Sequence, residues 1–106
     1  MSDYCIVMTT FAKKKHARTV IDEVLKKNLA ACAQVRKIKS DYHWKGKLHH
    51  KKERFVWFKT KKSNYEKLAE CIHALHPYEV PELISVDINN GSREYLEWIG
   101  ENTIGN

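Results

Sequence analysis

Residues 30–58 constrain the fold more than any other part of the sequence, because they are typical of two long strands joined by a tight turn. Gly46, within Trp44–Leu48, can supply the positive φ that such a turn requires. The returning strand runs from about Leu48 and ends in Phe55–Phe58, which is too apolar for a strand with one solvated face. The sequence predicts a long antiparallel hairpin that is covered on both faces near its end.

The first strand of this hairpin changes phase along its length. Its apolar residues fall first on odd positions and then on even ones: Ala31, Ala33 and Val35, followed by Ile38, Tyr42 and Trp44. Neighbouring residues of a strand point to opposite faces, so the change moves the apolar set to the other face. One extra residue near Arg36 or Lys37 would keep a single core face, and we therefore expect a β-bulge there.

The segments around the hairpin complete a recognisable order of elements. The apolar run from Cys5 to Met8 predicts a central strand, and apolar residues then recur at helical spacing over residues 17–29. A second helical pattern covers residues 65–75 and ends before Pro77, whose ring disfavours helical geometry at the preceding residue. Leu83–Ile88 alternates as a strand does.

A short last helix follows, which Ser92 can cap. With right-handed crossovers, the first six elements form a ferredoxin-like βαββαβ sandwich, an α+β fold with an antiparallel sheet and here an extra C-terminal helix. A length of 106 residues suits one domain, which we expect to span residues 1–106.

Composition excludes several classes of protein. No apolar run approaches the roughly 18 residues that span a bilayer, and Met1–Tyr4 is too polar to begin a secretory signal, so we expect a cytoplasmic protein. The cysteines Cys5, Cys32 and Cys71 are far apart and form no CxxC pair, which favours buried thiols over disulfides or a zinc ribbon.

The net charge of +6 suggests nucleic acid as a partner. RNA-recognition domains share this order of elements, but their third-strand signature corresponds here to Lys51–Phe58, where both glycines are replaced and Glu53 stands at a stacking aromatic position. Nucleic acid is therefore not the expected partner. A small-ligand or nucleic-acid binding module that uses the basic surface is the alternative function.

Metal and catalytic motifs are weak in this sequence. Of the six histidines, His73 and His76 could share a helix face, but no spacing matches a closed tetrahedral zinc site. Glu79 and Glu82 flank Pro81 near His76 and could form an acid–base pair, although loop carboxylates are more often solvated. No nucleophile or P-loop motif is present, and we expect a protein that is not an enzyme.

Both prolines of the chain lie in one segment, His76–Glu82. Pro77 and Pro81 fix two φ angles within five residues, so this connection is rigid and its polar side chains can be held in place at little entropic cost. Such a connection suits a binding site and a structural corner equally.

Taken in order, these motifs resemble the CutA-type divalent-cation tolerance proteins. The matching segments are Ile6–Val7 with Thr9–Thr10, Leu29–Ala33, Tyr42 with Trp44–Lys47, Lys59–Thr60, His76–Glu82, and Tyr95–Leu96 with Trp98–Ile99. The resemblance implies a ferredoxin-like subunit in a homotrimer whose neighbouring subunits pair strands at their edges. It also implies a role in the response to copper and other divalent ions, or in signalling through a protein partner.

The resemblance carries over only part of a metal site. Family members with a copper site pair a cysteine at the end of strand one with two histidines before the Pro-Tyr, and here those places hold Thr9, Leu75 and His76. We therefore expect no required cofactor, and weak binding of copper or another divalent cation with His76 as the remaining ligand. The resemblance further places a ligand pocket at the subunit boundary, lined by Trp44, Lys59, His76, Tyr78, Glu82 and Trp98.

Overall fold

The computed structural model describes residues 3–105 and has the predicted order of elements. Its strands and helices are β1 (Tyr4–Phe11), α1 (Lys14–Lys26), β2 (Cys32–Trp44), β3 (Lys47–Lys61), α2 (Tyr65–Leu75), β4 (Ile84–Asp87) and α3 (Arg93–Glu101). The backbone N–H of Tyr95 donates to the Ser92 hydroxyl at 3.3 Å, which confirms the predicted cap of α3. Met1, Ser2 and the predicted domain limits at residues 1 and 106 lie outside the described residues.

The four strands form one antiparallel sheet in the order β2-β3-β1-β4. This is the predicted ferredoxin-like arrangement. α1 and α2 pack on the face that carries Val7 of β1 and Phe58 of β3, which are register partners and fully buried. The core on this face comprises Cys5, Val7, Phe11, Ala17, Val20, Ile21, Val24, Leu29, Ala30, Val56, Phe58, Leu68, Cys71 and Ile72.

The third helix lies on the opposite face, which we call the open face. Lys59 of β3 is one residue from Phe58 and therefore points away from α1 and α2. Its ammonium donates to the hydroxyl of Tyr95 in α3 at 3.2 Å, so α3 covers this end of the open face. The other end, around Phe55 and Trp57, is not covered by a helix from residues 3–105 of the same chain and forms a groove.

The predicted bulge in β2 is wrong. β2 and β3 pair without interruption from Cys32–Lys59 to Trp44–Lys47. The apolar residues change parity because the two parts of β2 serve different faces of the sheet. Ala33 lies on the helix-covered face, whereas Ile38 lies on the open face. Beyond the end of β1 the hairpin continues as a two-stranded ribbon, where no helix layer requires one constant core face.

The hairpin turn has positive φ at both central residues, 51° at Lys45 and 77° at Gly46. Both values belong to a type I′ turn, whose twist matches that of the flanking strands. The positive φ predicted for Gly46 is confirmed. Lys45 also adopts it, which is uncommon for a residue with a side chain. The Lys45 ammonium lies 3.8 Å from the carboxylate of Glu79, so the tip of the hairpin meets the segment that follows α2.

No helix in residues 3–105 is both long enough and apolar enough to cross a membrane.

Candidate functional site

The segment His76–Glu82 crosses the end of β1 on its way from α2 to β4. His76 has extended backbone angles (φ −76°, ψ 131°), so the helix ends where Pro77 predicts. Its side chain stacks on buried Phe11, the last residue of β1, with ring centroids 4.3 Å apart. Since β4 begins at Ile84, the register partner of Met8, the segment must pass around the end of β1 to reach it.

Both ring nitrogens of His76 have backbone partners. Nε2 lies 2.7 Å from the carbonyl oxygen of Thr10, and Nδ1 accepts the backbone N–H of Tyr78 at 3.1 Å. A carbonyl can only accept and an N–H can only donate, so these contacts select the neutral ring with its proton on Nε2. Burial lowers the pKa of His76, and the Thr10 hydrogen bond opposes this only in part. His76 is thus held neutral in a fixed orientation.

A buried carboxylate lies next to this histidine. Glu53 on β3 is 4% exposed, and the hydroxyl of Tyr78 donates to it at 2.6 Å. Burial raises the pKa of Tyr78, and the adjacent Glu53 raises it further. Burial also raises the pKa of Glu82, again with a smaller effect of Glu53. His76, Tyr78, Glu53 and Glu82 therefore form one cluster, which we call the corner cluster.

Sequence reasoning did not select Glu53 as a site residue. It stands at a position where a stacking aromatic would support RNA binding. An available signal was its chemistry, because it is the only acidic residue in the otherwise basic and apolar stretch Lys47–Lys61. A lone carboxylate in a strand that approaches the core needs a donor, and Tyr78 supplies it.

Two other predicted residues lie at the far end of the open face. The Lys59 ammonium is 5.2 Å from the ring centroid of Tyr95, and the rings of Tyr95 and Trp98 stack with centroids 5.5 Å apart. We call Lys59, Tyr95 and Trp98 the aromatic cluster. Lys59 and Glu53 are six residues apart on the same strand, which corresponds to about 20 Å. A single chain therefore does not bring the two clusters together.

The sixth predicted residue, Trp44, lies at the hairpin tip, where the Lys45 ammonium is 5.6 Å from its ring centroid. Through Lys45 and Glu79 this tip is linked to the segment that carries the corner cluster. Within residues 3–105, Trp44 is thus linked to the segment of His76, Tyr78 and Glu82 only through this ion pair. Lys59 and Trp98 lie at the other end of the open face. The predicted pocket with all six residues requires a second copy and stays a prediction.

The residues present do not fit a preformed metal centre. Thr9 is fully buried on the helix-covered face, and Leu75 offers no donor atom. Within residues 3–105, no three His, Cys, Asp or Glu side chains lie close enough together to hold one ion. For His76 to bind a metal through Nδ1, the ring would have to give up the Tyr78 N–H. A tight site with His76 as a ligand is not built into the chain.

The fold and the corner cluster define the class: a ferredoxin-like protein with an added C-terminal helix and a proline-framed polar corner. The sequence model of one family, described as CutA1 divalent ion tolerance protein, matches residues 5–102. A divalent-cation tolerance protein CutA from Pyrococcus horikoshii is 40% identical over 98 residues, which cover 92% of this chain and 96% of that protein. A chloroplastic CutA protein from Arabidopsis thaliana is 35% identical over 99 residues, or 92% of this chain and 54% of that protein.

Solved structures agree with this assignment. The crystal structure of CutA1 from Oryza sativa has a TM-score of 0.93 at 31% identity and covers 99% of this chain and 97% of that one. CutA1 from Pyrococcus horikoshii has a TM-score of 0.91 at 38% identity and covers 95% and 99%. The chain belongs to the CutA1 divalent ion tolerance family. The resemblance stated from the sequence is confirmed, and the family names describe tolerance proteins rather than enzymes.

The neutral state of His76 predicts a pH-dependent stability. The pKa of His76 is lower in the folded protein than in the unfolded chain, so the folded state binds fewer protons. The neutral ring therefore stabilises the fold fully above about pH 6.5. This stabilisation is lost as the pH falls through that value towards the folded pKa. The slope for one proton is at most about 1.4 kcal/mol per pH unit. Nearby charge contributes too: His73 and His16 lower this pKa, and Glu53 raises it. Denaturant unfolding at several pH values measures the slope.

His76→Asn should reduce this slope, whereas the control His43→Asn, at an exposed position of β2, should leave it unchanged. An equal slope in the protein with and without His76 would contradict the lowered pKa of His76 in the folded state.

The hydrogen bond from Tyr78 to Glu53 predicts strong coupling between the two residues. Tyr78→Phe leaves a buried carboxylate without its donor and should lower the free energy of unfolding by about 1–3 kcal/mol. Adding Glu53→Leu removes the acceptor as well and should restore much of that loss. Chemical denaturation of both single variants and the double variant gives the coupling energy. Additive losses would show that the two side chains do not depend on each other.

Proposed function

We propose that this chain acts as a homotrimer in tolerance of divalent cations such as copper, without catalysing a reaction. The single observation that carries this proposal is the apolar open face, which one chain leaves bare. The corner and aromatic clusters then become parts of a shared site at the subunit boundary. The fold and the family support this combination of an assembled site with a cation-related role.

The bare part of the open face has the character of an interface. Its groove has a volume of about 470 Å³. Apart from one arginine, the residues that line it are apolar: Ile6, Met8, Arg36, Ile38, Phe55, Trp57 and Val86. On β4 the exposed fractions reach 51% for Ile84 and 47% for Val86. A contiguous apolar surface of this kind usually marks a site of association.

The edges of the sheet support assembly of identical chains. β2 is an outer strand of 13 residues, and the other outer strand, β4, has only four. A long edge presents unpaired backbone groups that another strand can use. Pairing β2 of one chain with β4 of the next is a heterologous contact, which closes into a ring when the rotation allows it. Three copies in a ring would cover both the edge and the groove.

The arrangement at His76 supports weak ion binding rather than a resident metal. Imidazole is a good ligand for copper and zinc. An ion at Nδ1 must replace the Tyr78 N–H, and Thr9 and Leu75 add no histidine or thiolate, so the affinity should be low. We therefore propose that no cofactor is required and that the trimer reports on divalent ions through a protein partner. We also propose that it works in the cytoplasm, as expected from the sequence.

The assembly is tested by light scattering during size-exclusion chromatography. We expect three times the chain mass of 12.5 kDa for the wild-type protein, unchanged on dilution. Ile38→Glu with Val86→Glu places two charges in the groove and should reduce the mass. The control, Leu25→Glu with Leu75→Glu, changes exposed apolar residues on the helices and should not. A wild-type monomer that persists at all concentrations would contradict the proposed trimer.

The ion-binding role of His76 is tested by calorimetric titration with copper and with zinc. The wild-type protein should bind weakly, and His76→Ala should bind less, because it removes the one family ligand that this chain keeps. His43→Ala is the matched control and should bind as the wild type does. Unchanged binding by His76→Ala would remove His76 from the proposed site.

A further inference from the structure

The β2–β3 ribbon carries an array of cations on its helix-side face. Lys37 is the register partner of Arg54, and Lys39 is the register partner of Lys52. Odd residues of β2 and even residues of β3 share the face of Val56 and Phe58, so all four side chains project to the same side. We call these four residues the cation array. It lies where β1 ends, since Arg54 is also the partner of Phe11.

The chain does not neutralise this array. None of the ion pairs within residues 3–105 includes any of the four residues. The acidic residue next along this face, Asp41, lies 2.6 Å from Nδ1 of His50 instead. Like charges placed directly opposite each other destabilise a strand pair. The array therefore opposes pairing of the ribbon, and an external anion that neutralised it would remove this repulsion.

The spacing of the array suits a regular polyanion. Successive cations on one strand are about 6.8 Å apart, and opposite ones have Cα atoms about 4.5–5.5 Å apart. The result is two short rows of positive charge on an exposed ribbon. Phosphates recur at a regular spacing along each strand of a duplex, with about 3.4 Å of rise along the axis per phosphate and a larger direct separation because the strand winds around the axis, so a short row of cations can face neighbouring phosphates.

We propose that the cation array binds the phosphate backbone of duplex nucleic acid without reading its sequence. Phe58 shares the face of the array but is fully buried. The other aromatic residues of this hairpin, such as Tyr42 and Trp57, have the opposite parity and project to the open face, so no aromatic side chain of the hairpin can stack the bases of a strand bound to the array. The array also has no apolar residue between its cations to anchor an acidic peptide. The array projects to the face opposite the open face, although Lys37 and Lys39 belong to β2, the edge strand of the proposed trimer. Edge pairing uses backbone groups in the plane of the sheet, so it does not require these side chains.

The test is fluorescence anisotropy with a short labelled DNA duplex over a range of salt concentrations. The logarithm of the binding constant should fall with the logarithm of salt concentration with a slope of about −3.6 for four neutralised phosphates. Lys39→Gln with Lys52→Gln removes two of the four cations and should halve this slope. The double variant removes one like-charge pair, so it should be no less stable than the wild type. A melting temperature no lower than that of the wild type shows that the variant is folded.

The control is Lys26→Gln with Lys67→Gln, which makes the same change in net charge on exposed helix positions. It should keep the wild-type slope. An equal loss in control and array variants would show that only net charge matters and would overturn the proposal. Three other results would also overturn the proposal. The duplex could fail to bind at low salt, or polyglutamate could bind through the array while the duplex does not. The matching single strand could also bind more tightly than the duplex.

Discussion

The structure depends on the pairing of β3 with a strand on each side. This 15-residue strand is hydrogen-bonded to β1 and to β2 in an unbroken register, so every second residue has a fixed face. Even positions place Phe58 in the core, and beyond the end of β1 they place Lys52 in the cation array. Odd positions carry Trp57 and Lys59 to the open face. The core, the open face and the cation array are thus consequences of one register.

The corner cluster shows how that register is joined to the rest of the chain. α2 ends before Pro77, and the ring of His76 lies against the end of β1. There, two backbone groups fix the tautomer of this ring. Tyr78 then reaches Glu53, so a buried carboxylate has a donor. These contacts give the corner a structural role that does not need a metal ion. To bind an ion through Nδ1, this histidine would have to give up the Tyr78 N–H.

Periodicity predicted the order of elements and the fold class, because the apolar patterns of the helices and of Cys5–Met8 are strong and Pro77 marks a clear boundary. The predicted bulge was wrong because it assumed that all apolar residues of β2 face one core. Ala33 and Ile38 instead lie on different faces of an uninterrupted strand. The corner cluster was only partly predictable. Its contact with Glu53 joins residues 25 positions apart, and no local pattern reports such a pairing.

In the proposed trimer, identical chains cover the open face and the outer edge of β2. Amide hydrogen exchange tests it most directly, because alternate β2 amides point away from β3 and have no partner strand within one chain. If the trimer forms, a set of these outward amides should be protected in solution, and the protection should be lost when charges in the groove separate the chains. Fast exchange at all outward β2 amides of the wild-type protein would contradict it.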